Sequence, residues 1–372
     1  MGGKSLLKRL LLTAAALTVG TTAGFANDLS GMSWDQIVSQ AKEEGKVTWY
    51  VWHLKDDLRR AIQSFEEEYG IDVVIPEGTD TGNNEKLLAE RNRETGDIDV
   101  FAASSDAFQT LDASALFSPL TMLPEDDGRV SEFGGLDGGD YIRAYWGNQT
   151  GIAYDPAQVD ETALPQTPEE IAQYWDAYPN KFGFNYQNGG SGPSFYQNVL
   201  RVISGKDFSN GEVTDEKVSA LQSGFDFFNE HAENYLITTS NSDSITRISD
   251  GELAMAPAWE DHLSGLQKRG QVRKDIKFYI PEMGMNGGGN GVAIPRNAEN
   301  PAAAAVFINW LTSPETQTAF NRDFGTAPMN EAADDSFALV PAAQRKFRAE
   351  WAAQPFQNKV ADLFIDNVIF ER

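Results

Sequence analysis

The sequence predicts an α/β fold, helices alternating along a mostly parallel sheet, on three observations. Short β-branched and aromatic runs alternate with stretches whose apolar residues recur every three or four positions, the pattern of βαβ units. The chain has 372 residues, about the length of two ordinary domains. Hydrophobic residues make up 41% and aromatics 11%, enough for a sizeable core and too many for wholesale disorder.

Each element has its own signal. Ser33-Trp34-Asp35-Gln36 is a capping box, in which Ser33 accepts from the third helical amide and Gln36 reaches back. Trp34, Ile37, Val38 and Ala41 then repeat at helical spacing, and Gly45 suits the left-handed residue that ends a helix. Val47 to Trp52 reads as a buried strand. Leu58, Ile62, Phe65 and Tyr69 lie on one face of a second helix closed by Gly70. Ile71 to Ile75 is a second strand, Glu85 to Glu94 a third helix and Ile98 to Ala102 a third strand. Further on, Thr167-Pro168-Glu169-Glu170 starts a helix with a cap, an N1 proline and a capping-box glutamate. Val218, Leu221, Phe225 and Phe228 mark the core face of another. Asn300-Pro301 caps a helix running to Leu311, and Ser313-Pro314 caps the next. Glycine clusters at Gly134–Gly139, Gly189–Gly192 and Gly287–Gly291 suit loops, crossovers and hinges.

Charge and cysteine usage narrow the partners. Fifty-five acidic residues against 30 basic ones leave a net charge of −25. Such a chain repels phosphate backbones, so nucleic acid is not expected as a partner. Cysteine is absent, which excludes disulfides, thiol nucleophiles, thiolate metal sites and a lipoprotein anchor. The N-terminus reads as a secretory signal peptide, 1–26. Lys4, Lys8 and Arg9 form its basic region, and Leu10 to Val19 is an apolar run too short to span a bilayer. Gly24 and Ala26 occupy the small-residue positions of a cleavage after Ala26. The product is expected to be soluble and exported.

Catalytic motifs are incomplete. Gly189-Gly190-Ser191-Gly192-Pro193 approaches the nucleophile elbow, but proline replaces the last glycine. His53, His231 and His262 are each followed by Leu or Ala, so no HExxH zinc site exists. Gly287–Gly291 precedes Val292-Ala293-Ile294-Pro295, a strand, whereas a dinucleotide fingerprint opens a helix. Lys206 follows Gly205 without the Ser or Thr of a phosphate loop. The acid pairs Asp126-Asp127 and Glu260-Asp261 leave glycoside hydrolysis as an alternative. No catalytic residue, metal or cofactor is otherwise called for.

Strand ends are more informative, because parallel α/β sheets bind ligands beyond their carboxyl ends. Trp52-His53 ends the first strand, Ser104, Ser105 and Asp106 follow the third, and Trp259-Glu260-Asp261 follows the apolar run Leu253 to Ala258. Tryptophan faces beside carboxylates suit a small ligand with apolar and polar or cationic parts. In an extended segment alternate residues share a face, so Trp259 and Asp261 would face the ligand and Glu260 would point away. An anion is the opposite reading. Ser191-Gly192-Pro193-Ser194 opens a helix whose free amides, with Arg201 and Arg247, would attract a phosphate or carboxylate.

Several segments together resemble a known family. They are Phe65-Glu66-Glu67-Glu68-Tyr69-Gly70-Ile71-Asp72-Val73, Asp97-Ile98-Asp99-Val100 with Ser104, and Gly151-Ile152-Ala153-Tyr154-Asp155. Gly251-Glu252-Leu253-Ala254 with Trp259, Gly291-Val292-Ala293-Ile294-Pro295, and Asn300-Pro301 through Ser313-Pro314-Glu315 complete the series. In order and spacing they resemble the extracellular solute-binding proteins (family 1) of ABC importers, in the polyamine, iron and thiamine branch. The resemblance implies a type II periplasmic-binding-protein fold. Two lobes, each a mostly parallel sheet flanked by helices, would enclose a ligand cleft. Lobe one would hold 27–147 plus about 289–330, and lobe two 148–288 plus about 331–372. The crossovers would be Trp146 to Tyr154 and Gly287–Gly291, where hinge closure needs them.

The resemblance also implies a periplasmic monomer that binds a small-molecule ligand and delivers it to an inner-membrane ABC permease, without catalysis. Trp52 and Trp259 match stacking aromatics of polyamine binders, and Ser104 matches a polar contact. The expected ligand-binding set is Trp52, His53, Ser104, Ser105, Ser194, Trp259, Asp261 and Asn290. Asn290 stands where polyamine binders carry an acid, and Phe195-Tyr196 lacks the adjacent tyrosines of iron binders. Thiamine-like or other organic cations, sugars, polyols and amino-acid derivatives remain, and the carboxylate of Asp261 next to Trp259 favours an organic cation or a zwitterion. A sugar or polyol is the alternative within the family, and a secreted glycan-acting hydrolase the alternative outside it.

Overall fold

The capping box forms as read. Ser33 Oγ accepts from Gln36 N, Gln36 Oε1 accepts from Ser33 N, and the helix Trp34–Glu44 ends at Gly45 with φ 66°. The computed structural model describes residues 29–372, so the signal segment 1–26 lies outside the described residues.

Twelve strands are described: β1 Lys46–Tyr50, β2 Asp72–Val74, β3 Val100–Ser104, β4 Glu132–Phe133, β5 Leu136–Asp137, β6 Arg143–Tyr154, β7 Gly183–Asn185, β8 Leu236–Thr238, β9 Met255–Trp259, β10 Lys277–Tyr279, β11 Met285–Ala293 and β12 Arg348–Ala349. The main sheet runs β10-β6-β11-β3-β1-β2, with β9 also on β6 and β12 on β11. Parallel pairing holds where βαβ units were expected, in β2-β1-β3 and β7-β8. The sheet is mixed because β6 and β11 run antiparallel to each other through its middle. The first half of β6 pairs with β11, and from Thr150 onward it pairs with β9 and β10. The end of β11 pairs with β3. Two long strands thus link the β2-β1-β3 side of the sheet to the β9 and β10 side.

The cores divide about those strands. Trp49, Phe65 and Phe307 centre one cluster, and Phe101, Phe108 and Phe117 centre its neighbour; both draw on residues 29–146 and 292–329. Trp175, Phe195 and Phe228 centre the other, drawn from 152–285 and 340–368. Phe356, Val360 and Phe364 of the C-terminal segment pack into this last core.

Several elements differ from the reading. The helix through Leu58 is two, Lys55–Ala61 and Gln63–Tyr69, broken at Ile62, so that Leu58, Ile62 and Phe65 all reach the core. The third helix is Asp80–Glu90, earlier than expected, because Thr79 caps it by accepting from Gly82 N. β3 is correspondingly two residues late. Asn300 makes no side-chain cap. Glu44, from the first helix, accepts from Ala302 N and Ala303 N and caps the helix Pro301–Leu311 across the layer. Gly287–Gly291, expected as a crossover, lies within the strand β11. A Cβ on Gly288 would lie 2.3 Å from Asn148 Oδ1 and 3.1 Å from the Trp259 ring. Its glycine serves close approach. Among the described residues no helix is long and apolar enough to cross a membrane.

Candidate functional site

Three chain reversals meet at one place. After β1 the chain turns through Trp52 and His53. After β3 the short helix Ser105–Gln109 begins, with Ser104 Oγ accepting from Ala107 N at 3.3 Å. After β9 the helix Glu260–Lys268 begins directly behind Trp259. Two adjoining cavities open there. A first chamber of about 480 Å³ is lined by Trp52, His53, Trp146 and Asp261 among others. A second, of about 520 Å³, is lined by Ser104, Ser105, Asp106, Gln197 and Trp351 among others. Asn148, Trp259 and Asn290 line both, so Trp259 stands at their junction.

The expected residues are thus brought together, with one exception. Ser194 lines neither chamber. It is wholly buried, its Oγ 2.6 Å from Thr150 Oγ1 and accepting from Asn286 N at 2.9 Å. It pins the helix Ser191–Ser204 to the two long strands, while Pro193 and Gln197 of the same helix face the second chamber. Those two strand partners, Thr150 and Asn286, hold its hydroxyl away from the chamber.

The anion reading is also overturned. Ser191 N donates to Asn241 Oδ1 and Gly192 N to Asn185 Oδ1, each at 3.2 Å. Pro193 has no N–H, and Ser194 N donates to Gly190 O. The helix start is therefore satisfied by protein. Arg201 donates to Met283 O and Asn198 Oδ1, and Arg247 pairs with Asp243 and Glu252.

His53 is a neutral group. Asn290 Nδ2 donates to its Nε2 at 3.0 Å, and Tyr145 Oη lies 3.0 Å from the same nitrogen. Burial pulls its pKa down to about 4. With Nε2 accepting, the ring proton sits on Nδ1.

Glu260 and Asp261 divide as expected, although the segment is a helix start and not a strand. Asp261 Oδ2 accepts from Trp146 Nε1 at 3.0 Å and its Oδ1 from His262 N at 2.9 Å. Burial raises its pKa above the usual carboxylate value, against those hydrogen bonds. Glu260 points away and is fully buried. Its oxygens accept from Arg345 Nη2 at 2.9 and 3.0 Å and from Leu339 N at 3.1 Å. Desolvation pushes its pKa up to about 7 despite the guanidinium.

Sequence reasoning missed Asn148, Gln197 and Trp351. The Trp351 ring lies 6.4 Å from that of Trp259, tilted by 34°. A lone tryptophan in a polar C-terminal segment was the available signal. Among the described residues no group of three or more acids and histidines is placed to hold a metal ion.

A family model described as bacterial extracellular solute-binding protein matches residues 60–348. No curated protein is significantly similar in sequence. The fold is similar to that of the spermidine/putrescine ABC transporter substrate-binding protein PotD from Streptococcus pneumoniae, with a TM-score of 0.68 and 18% identity over 88% of this chain and 99% of that one. It is similar to UgpB from Mycobacterium tuberculosis, solved with glycerophosphocholine, with a TM-score of 0.71 and 17% identity over 88% and 94%. Iron-bound HitA from Pseudomonas aeruginosa gives 0.62 and 20% over 87% and 99%. At these identities the likeness is one of fold.

Proposed function

The chain belongs to the bacterial extracellular solute-binding protein family, the solute-binding component of ABC transporters, and on that premise we propose that it captures a small organic cation or zwitterion by lobe closure. The observation that carries this reading is that Trp259 and Asp261 line one chamber. An aromatic face and a nearby carboxylate both attract a cationic group. In this reading 27–147 with about 289–330 forms one lobe and 148–288 with about 331–372 the other, hinged on β6 and β11. The protein works as a monomer in the periplasm, after cleavage behind Ala26, and passes its solute to the inner-membrane permease. Nucleic acid plays no part, and the solute leaves unchanged. The ion pair of Glu260 with Arg345 supports binding over glycan hydrolysis, since it withdraws one member of the candidate acid pair from the cleft.

A neutral sugar or polyol is the second reading, favoured by the amide side chains of the second chamber. Thermal melts against a panel of amines, amino acids, sugars and polyols test both. A binder melts higher with its ligand by mass action and returns it chemically intact. A ligand recovered as a cleaved product contradicts the proposal.

A further inference from the structure

We propose that the C-terminal segment from Trp351 to Asn358 is part of the ligand site, and that the second chamber takes a polyhydroxylated ring of the solute. This rests on the reading of the cleft as the ligand site. Residues beyond 348 lie outside the span matched by the family model.

Three observations carry it. First, Gln197, 4% exposed, lines the chamber, and among the described residues its Oε1 has no hydrogen-bond partner. Asn148 Oδ1 is in the same state on the shared wall. Buried acceptors without donors are costly, and a ligand donor would satisfy them. Secondly, on the facing segment Gln354 Nε2 donates to Gln357 Oε1 at 2.7 Å and to Asn358 Oδ1 at 3.2 Å. That arrangement orients the Gln357 and Asn358 amides and leaves their N–H₂ groups as donors. Orphan acceptors on one wall and free donors on the other are matched by hydroxyl groups, which do both, better than by ammonium groups, which only donate. Among the described residues the only charged side chain lining the chamber is Asp106. Thirdly, the Trp259 and Trp351 rings form an open wedge against which the C–H face of a saturated ring can lie.

The wall is also fixed in place. β12 pairs with the start of β11, Met285 opposite Arg348 and Asn286 opposite Ala349. Asn286 Nδ2 donates to Glu350 O at 2.7 Å, and the Arg345 pair with Glu260 ties the same stretch to the helix behind Trp259. Trp351 is therefore presented by a braced segment, the pre-organisation a specificity contact needs.

The test uses three compound sets, read by melting temperature and tryptophan fluorescence: amino sugars and aminocyclitols, neutral sugars and cyclitols, and alkyl amines without hydroxyls. Trp351→Ala, Gln197→Leu and Trp259→Ala are compared with the unaltered protein. A hydroxylated compound should bind, and Trp351→Ala and Gln197→Leu should each weaken it at least tenfold. The ligand-free melting temperature of Gln197→Leu is read alongside, because the substitution also removes the amide's hydrogen bond to Tyr196, and the binding loss is scored per folded molecule. Binding by neutral members alone supports the inference and overturns the cationic part of the proposed function. Normal binding in Trp351→Ala and Gln197→Leu, with loss in Trp259→Ala, overturns the inference and leaves the cleft reading standing. Binding of unhydroxylated amines only, or of none of the sets, overturns it outright.

Discussion

Trp146 Nε1 donates to Asp261 Oδ2 at 3.0 Å. The bond joins the long strand β6 to the first turn of the helix Glu260–Lys268. It holds Asp261 on the wall of the first chamber beside Trp259, and its donor stabilises the anion against desolvation.

Asp261→Asn keeps the shape and removes the charge. For a cationic ligand the affinity should fall at least tenfold, in line with the roughly 1.5–3 kcal/mol of a charge-assisted hydrogen bond. Titration calorimetry checks this, and an unchanged affinity would contradict a cation contact at Asp261 and make a neutral sugar or polyol the leading candidate.

Trp259→Ala should cost about 1–3 kcal/mol of binding, the loss of a desolvated stack or cation–π contact. Trp52, in the first chamber only, should give the same loss if the ligand reaches it. A Trp52→Ala protein that melts far lower but binds normally per folded molecule would place Trp52 in the packing of its lobe.

Two buried groups give opposite pH slopes. Glu260 is raised from 4.5 to about 7, so the folded state holds its proton more tightly than the unfolded chain does. Its contribution is full below 4.5 and is lost as pH rises through 7. His53 is lowered from 6.5 to about 4, so its contribution is present above 6.5 and is lost as pH falls toward 4. Melting curves between these limits should show Glu260→Gln without the neutral-side decline and His53→Gln without the acid-side one. Parallel curves for each variant and the unaltered protein would contradict both assignments.

Gly288→Ala should damage site and fold together. The added methyl meets Asn148 Oδ1 at 2.3 Å and the Trp259 ring at 3.1 Å. Overpacking of this kind typically costs about 1–3 kcal/mol. Both the melting temperature and the ligand affinity should fall, whereas a variant normal in both would mean that β11 tolerates the shift.

The local signals were legible because they are short-range. The Ser33 capping box, the Gly45 and Gly70 helix ends and the Thr167 cap depend on residues within four positions, and all form. The tryptophans at strand ends reached the cleft because a strand's end fixes where the next residues go. The misses came from partners distant in sequence. Glu44 replaces Asn300 as a cap across the layer, and Asn241 and Asn185 silence the amides of the helix at Ser191. The pairing of β6 with β11, and with it the contact of Trp351 on Trp259, joins segments that no periodicity links.

Closure of the two lobes on a solute at Trp259 is the motion on which the proposed function depends. Small-angle X-ray scattering, with and without a saturating solute that raises the melting temperature, tests it most directly. The radius of gyration should be smaller in the bound form. An unchanged radius at saturation would contradict it.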